Sequence, residues 1–184
     1  MRVISGKYRG TKLFSPDDDR VRPTTDRIKE SVFNILSNRI KFSGARALDL
    51  FSGSGALGIE MLSRGADYVA FVDHDRDSVR LTKANIEKIK AIKEHYDVFP
   101  VEYDFALKKL ANADMNVVFV DPPYALRIEK KVLDLIIAYG VLAKGGVVVV
   151  EHDFKNVVEH DKFDCDCRKM GNTSVSFMTL KEQL

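Results

Sequence analysis

Met115-Asn116-Val117-Val118-Phe119-Val120 is the stretch that most restricts the folds open to this chain. The run is apolar apart from Asn116, mostly β-branched or aromatic, and shows no alternation with polar residues. A strand written this way has no face to give to water, so it belongs inside a parallel sheet covered by helices on both sides. The neighbouring sequence repeats the theme. Ala45 to Phe51, Tyr68 to Val72, Val98 to Tyr103 and Val147 to Glu151 read as further short strands. Helical segments are expected between them at Ile59 to Arg64, Asp75 to about Lys93, Phe105 to Leu110 and Glu129 to Tyr139. In the longest of these Val79, Leu81, Ile86 and Ile89 mark the buried side. Phe163 to Lys169 and Ser174 to Leu180 instead alternate in polarity around Met170-Gly171-Asn172-Thr173, the pattern of an antiparallel hairpin. The expected architecture is a doubly wound α/β sheet with that hairpin at its end.

Before the first strand, Arg2 to Phe14 reads as a short hairpin carrying Arg2, Lys7, Tyr8, Arg9 and Lys12. An acidic connector follows, Ser15-Pro16-Asp17-Asp18-Asp19. Arg20-Val21-Arg22-Pro23-Thr24-Thr25-Asp26 then leads into a helix whose stripe is Ile28, Val32, Ile35, Leu36 and Ile40, widened by Phe33. Residues 1–46 hold eleven Lys/Arg against five Asp/Glu, whereas the remaining residues hold eighteen against twenty-two. A basic end on a mildly acidic body suits a polyanion held at one edge.

The strand Met115–Val120 ends in Asp121-Pro122-Pro123-Tyr124, at the carboxyl end where open α/β sheets bind ligands. An acid, two prolines and an aromatic suit one particular chemistry, attack by a planar exocyclic amine on an electrophilic methyl. The lone pair of such an amine is delocalised into its ring until both hydrogens are held. The Asp121 carboxylate can accept one and the Pro122 carbonyl, on a rigid Pro-Pro backbone, the other. Attack makes the nitrogen acidic, so Asp121 needs no raised pKa to stabilise the charge or take the proton. Tyr124 offers a face on which a base can stack.

Upstream, Asp49-Leu50-Phe51-Ser52-Gly53-Ser54-Gly55-Ala56-Leu57-Gly58 places three glycines at G-x-G-x-x-G spacing between a strand and a helix. Such a bend brings backbone N–H groups and a helix N-terminus close to a ligand, and is shared by nicotinamide, flavin and S-adenosylmethionine (SAM) sites. Asp73, ending the second strand, can accept both hydroxyls of a ribose. Asp104, expected to end the third strand, lies near where an adenine amino group would sit, flanked by Phe105. No proton donor for hydride chemistry accompanies them, whereas an amine clamp does, which favours SAM over nicotinamide.

At 184 residues the chain is expected to form one domain, 1–184, with 1–42 as a basic extension and 43–184 as the core. No apolar stretch approaches a membrane span and no signal-peptide core is visible, so a cytoplasmic protein is expected. Cys165 and Cys167 lie in a probable strand with spacing that matches none of the common zinc patterns, so they read as buried or edge thiols and no metal is expected.

These residues resemble the class I SAM-dependent methyltransferases. More narrowly, the chain is similar to the RsmD family of bacterial small-subunit ribosomal RNA guanine-N2 methyltransferases. The narrowing pieces are Arg2-Val3-Ile4-Ser5-Gly6-Lys7-Tyr8-Arg9-Gly10 and Arg22-Pro23-Thr24-Thr25-Asp26-Arg27 with Phe33-Asn34-Ile35-Leu36. The resemblance implies a seven-stranded Rossmann-like methyltransferase sheet. It implies SAM held by Asp49, Phe51, Gly53, Gly55, Asp73, Asp104 and Phe105, and a guanine clamped by Asp121, Pro122, Pro123 and Tyr124. It further implies ribosomal RNA or an assembling 30S particle met by Arg2, Lys7, Tyr8, Arg9, Arg22 and Thr24. A monomer is expected. Lys29 stands where the family's pattern leads one to expect arginine. An adenine-N6 methyltransferase on DNA or RNA is the alternative that the tetrapeptide alone leaves open, and a catalytically idle RNA-binding protein of the same fold is a third.

Overall fold

The computed structural model describes residues 1–15, 26–123 and 126–181. Seven strands form one sheet: β1 (Arg46–Leu50), β2 (Tyr68–Val72), β3 (Tyr96–Phe99), β4 (Met115–Val120), β5 (Leu142–Asp153), β6 (Phe163–Met170) and β7 (Thr173–Leu180). Their order is β3-β2-β1-β4-β5-β7-β6, with β1 to β5 paired in parallel and β7 antiparallel to both β5 and β6. The helices are α1 (Asp26–Leu36), α2 (Ala56–Ser63), α3 (Arg76–Lys88), α4 (Tyr103–Lys109) and α5 (Glu129–Ala138). This is the doubly wound α/β fold that the strand–helix alternation predicts.

Strand alternation divides the core in two. Ala47, Phe71, Val117, Phe119 and Val149 pack with Phe33 of α1, Ile59 of α2 and Ile86 of α3. Leu48, Leu50, Val118, Val120 and Val150 pack on the other face with Leu107 of α4 and Val132, Leu133 and Ile136 of α5. Strand β4 is buried except for a half-buried Asn116, as its unbroken apolar run requires.

Several boundaries differ from expectation. β3 occupies Tyr96–Phe99 because Pro100 follows, and a proline has no N–H to extend a ladder. Asp104 therefore does not end a strand; it lies in the first turn of α4. Helix α3 stops at Lys88, Lys90 turns left-handed at φ 52°, and a short 3-10 turn at Lys93–His95 leads into β3. Leu81 is only half-buried, while Thr82 and Asn85 take the buried positions on the face of α3.

The terminal hairpin forms, with its second strand inward. β7 lies between β5 and β6, so six of its eight residues are buried and the expected alternation does not separate two environments. β6 is left as the edge, with Cys165 and Cys167 exposed upon it.

The N-terminal segment is a turn with one antiparallel bridge, Arg2 to Lys12, rather than a regular ladder. Its tip docks on the end of α2. Lys7 N–H donates to the Ser63 carbonyl at 2.7 Å and Tyr8 N–H to Ser63 Oγ at 3.0 Å. Gly6 has φ 85°, and an added Cβ would lie 1.8 Å from the Ser63 carbonyl oxygen, so only glycine permits this contact.

Candidate active site

Strand β1 delivers Asp49, then Phe51, into the bend that begins α2. Phe51 is held at φ 83°, a conformation costly for an aromatic residue. It is fixed there because the Phe51 and Ser52 N–H groups both donate to the Val72 carbonyl, at 3.0 and 2.9 Å. Its ring stacks at a tilt on Tyr103, with centroids 5.4 Å apart. Gly53 (φ 53°) and Gly55 (φ 75°) continue the left-handed path, and a Cβ added at Gly53 would meet nothing within 4 Å. Gly58 does a different job: a Cβ there would stand 2.3 Å from the Phe71 ring, so its absence lets α2 lie close on the sheet.

Two carboxylates brace the bend. Asp49 Oδ2 accepts from Gly58 N–H at 2.9 Å in the first turn of α2. Burial pushes the Asp49 carboxyl up to about 7; the Gly58 hydrogen bond opposes the rise and the charge of Asp73 adds to it. Asp73 Oδ2 accepts from Gly53 N–H and its Oδ1 from Asp75 N–H, both at 2.9 Å. Each oxygen has a second lone pair, so the group can still receive a diol at the tip of β2.

The sequence pattern did not single out the residues that hold the bend from beneath. Thr82 Oγ1 donates to the Gly53 carbonyl at 2.9 Å, and Asn85 Nδ2 donates to the Ser54 carbonyl at 2.9 Å. Asn85 also pairs with Phe14, accepting its N–H at 2.7 Å and donating to its carbonyl at 3.0 Å. Their signal was available as two polar residues, at positions 82 and 85, on the face of a helix otherwise marked apolar by Val79, Ile86 and Ile89.

Asp104 and Phe105 are exposed beside this cleft, and Asp104 Oδ1 accepts from Phe105 N–H at 2.7 Å. Asp121 follows β4 and is half-buried, Pro122 is buried and Pro123 is exposed. The Pro123 carbonyl accepts from Leu126 N–H at 2.9 Å. Asp121 lines a small pocket with Val32 of α1, Leu57 of α2, Val149 and Glu151 of β5, and Val175 of β7. Leu57 sits two residues after Gly55, so the pocket that Asp121 lines lies beside the glycine bend.

The structure thus gathers Asp49, Phe51, Gly53, Gly55 and Asp73 at one end of the sheet, with Asp121 on the neighbouring strand at the same carboxyl edge. The basic turn lies elsewhere. Lys7 and Tyr8 line a cleft of about 190 Å³ with Ala66, Asp67, Ile92 and His95, residues that precede β2 and β3 and so mark the amino edge. Arg9 shares that tip. Arg2 pairs with Asp26, its backbone N–H donating to Oδ1 at 3.0 Å and its Nε lying 3.6 Å from Oδ2. Lys29 is fully buried and faces Glu60. Arg22, Thr24 and Tyr124 lie outside the described residues, as does the Asp17-Asp18-Asp19 run.

The donor set suits a molecule carrying an adenosine ribose and a charged tail. Asp73 presents two carboxylate oxygens at the tip of β2, the space over Gly53 is open, and Gly55 sits at the start of α2. Among the described residues no cluster of three His, Cys, Asp or Glu could hold a metal ion, and no helix is long and apolar enough to cross a membrane.

A family model described as Conserved hypothetical protein 95 matches residues 1–179. YlbH of Bacillus subtilis (strain 168) is 41% identical over 155 residues, covering 83% of this chain and 83% of that protein. Ribosomal RNA small subunit methyltransferase D of Escherichia coli (strain K12) is 37% identical over 158 residues, covering 85% of this chain and 76% of its own length. Among solved structures, yhhF from Escherichia coli superposes with a TM-score of 0.86 at 30% identity, covering 100% of this chain and 99% of the other.

Proposed function

Because the chain belongs to the family of ribosomal RNA small subunit methyltransferase D, we propose that it is a SAM-dependent rRNA methyltransferase whose acceptor is the N2 amine of a guanine in small-subunit ribosomal RNA. The observation that carries this reading is the position of Asp121. It is half-buried at the end of β4 and shares a pocket with Leu57 in the first turn of the glycine-bend helix.

When bound, SAM supplies an electrophilic methyl on a sulfonium. Asp73 receives the ribose hydroxyls, the bend from Phe51 to Gly55 takes the amino-acid end, and Asp104 with Phe105 borders the adenine. Asp49 sets this surface from behind by holding Gly58. On the acceptor side, Asp121 takes one N2 hydrogen and the Pro122 carbonyl the other, which frees the nitrogen lone pair for in-line attack. Asp121 then stabilises the cationic amine and accepts its proton. Positioning and charge placement supply most of the rate. By the same reading Tyr124 offers the base a stacking face, and Arg22 and Thr24 contact the RNA. The unit acts as one cytoplasmic, monomeric domain, 1–184, with 1–42 as its RNA-facing extension.

Incubation with methyl-labelled SAM and unmodified small subunits, followed by nucleoside mass analysis, tests the reading. Labelled N2-methylguanosine is the expected product; labelled N6-methyladenosine would replace guanine by adenine as the acceptor. Asp121→Ala should cut turnover by at least about 100-fold while leaving SAM affinity within a few fold. An equal loss in both would assign Asp121 to cofactor binding instead.

A further inference from the structure

The geometry points to Glu151 as the residue that selects guanine over adenine, by accepting the N1–H of the target base beside the amine held by Asp121; this rests on the guanine-N2 reading above. β4 and β5 are parallel neighbours with Val120 opposite Val150, so Asp121 and Glu151 are the next residues along two adjacent strands. Strand alternation puts both on the α1 side, the side of Phe119 and Val149. They line one pocket, whose other walls, Val32, Leu57, Val149 and Val175, are apolar.

Glu151 is also oriented. Opposite it on β7 stands Val175, and the hydroxyl of Thr173, which donates to the His152 carbonyl at 2.9 Å, reaches Glu151 Oε1 at 3.3 Å. This contact anchors one carboxylate oxygen, Oε1, on the β7 side at the carboxyl end of β5, while the residue itself lines the pocket shared with Asp121.

The two bases differ where this carboxylate can read them. Guanine carries an N1–H donor adjacent to its N2 amine. Adenine has at N1, adjacent to its N6 amine, only a lone pair. A carboxylate accepts hydrogen bonds and donates none when ionised, so it attracts the guanine edge and repels the adenine edge. Asp121 and Pro122 treat both amines alike, as the tetrapeptide chemistry requires. The discrimination must come from a neighbour of the amine site, and among the described pocket residues Glu151 is the one other ionisable group.

Small-subunit RNA carrying guanine or 2-aminopurine at the methylated position separates the roles, because 2-aminopurine keeps the exocyclic amine and lacks N1–H. The analogue is introduced by ligation of a synthetic segment, and the RNA is presented both free and in reconstituted subunits. The wild-type chain should prefer guanine in kcat/KM by about 10- to 100-fold, the range of a hydrogen bond to a charged group. Glu151→Leu should bring the ratio to within about threefold, and Glu151→Gln, which keeps an acceptor oxygen, should retain part of it. SAM affinity and the unfolding midpoint should stay near wild type in both variants; a variant that loses them is replaced in the comparison by the other. A guanine to 2-aminopurine ratio that Glu151→Leu leaves unchanged, or a wild type that treats the two bases alike, overturns the role of Glu151 while leaving the enzyme a guanine-N2 methyltransferase. Failure of the wild type to form N2-methylguanosine overturns both readings.

Discussion

The ammonium of Lys29 lies 3.3 Å from Glu60 Oε2, and neither side chain meets solvent. Around this pair the N-terminal turn is fastened to two helices. Glu60 accepts from Ile4 N–H at 2.8 Å, from Ser5 N–H at 3.0 Å and from Arg64 Nε at 2.9 Å, while Lys29 Nζ donates to the Arg2 carbonyl at 2.7 Å. Burial draws the Lys29 ammonium below its usual pKa, and the Glu60 charge opposes that shift.

Removing one partner of such a pair leaves a buried charge without compensation. Glu60→Ala should therefore destabilise the fold by about 3–5 kcal/mol. The double variant Lys29→Met/Glu60→Leu should lose less than Glu60→Ala alone. Urea unfolding measures both, and hydrogen exchange should show Ile4 and Ser5 losing protection first in Glu60→Ala.

Asp49 gives stability a pH dependence of known sign. Its folded pKa of about 7 lies above the ordinary carboxyl value of 3.8, so the folded state binds the extra proton. The associated stabilisation is complete below about pH 4 and is lost as pH rises through about 7. Asp49→Asn keeps an acceptor for Gly58 N–H and removes the titration. The stability of Asp49→Asn relative to wild type should thus rise between pH 4 and pH 8 by a few kcal/mol, because each tenfold change in proton affinity is worth about 1.4 kcal/mol. Thermal unfolding at the two pH values measures it.

Asn85→Ala takes away the hydrogen bonds to Ser54 and Phe14 and leaves half-buried backbone groups without that partner. The bend should loosen, lowering SAM affinity by roughly 10-fold, a loss of about 1–2 kcal/mol. Turnover at saturating SAM should fall by less than threefold. Isothermal calorimetry and steady-state kinetics separate the two quantities.

Gly58→Ala drives a methyl group to within 2.3 Å of the Phe71 ring, which is fully buried. A cost of about 1–3 kcal/mol is expected, the range of overpacked cores. Phe71→Leu in the same chain should recover part of the loss, because the obstructing ring is gone. Denaturation midpoints of the single and double variants test the coupling.

The sheet and the sites on it were legible to different degrees. β4 and β2 could be placed to the residue because each is an apolar run bounded by abrupt polar or proline signals. Pro100 defeated the third strand: Val98 to Tyr103 is apolar enough to pair, yet the backbone cannot continue, and Asp104 moves from a strand tip into a helix. Thr82 and Asn85 escaped notice because their work is to satisfy loop carbonyls, a demand set by tertiary structure and absent from helical periodicity. The burial of Lys29 was hidden for a similar reason. Its partner Glu60 stands 31 positions away in a helix that sequence alone assigns to the cofactor bend. The basic tip at Lys7 to Arg9 was readable as a charged turn, but its seat on Ser63 at the amino edge depends on the glycine at position 6 meeting a helix end.

One amide ties the N-terminal segment to the glycine bend. Asn85 Oδ1 accepts from Phe14 N–H, and its Nδ2 donates to the carbonyls of both Phe14 and Ser54. Holding the Phe14 backbone and holding the glycine bend are thus tasks of one side chain, so a change at position 85 disturbs both.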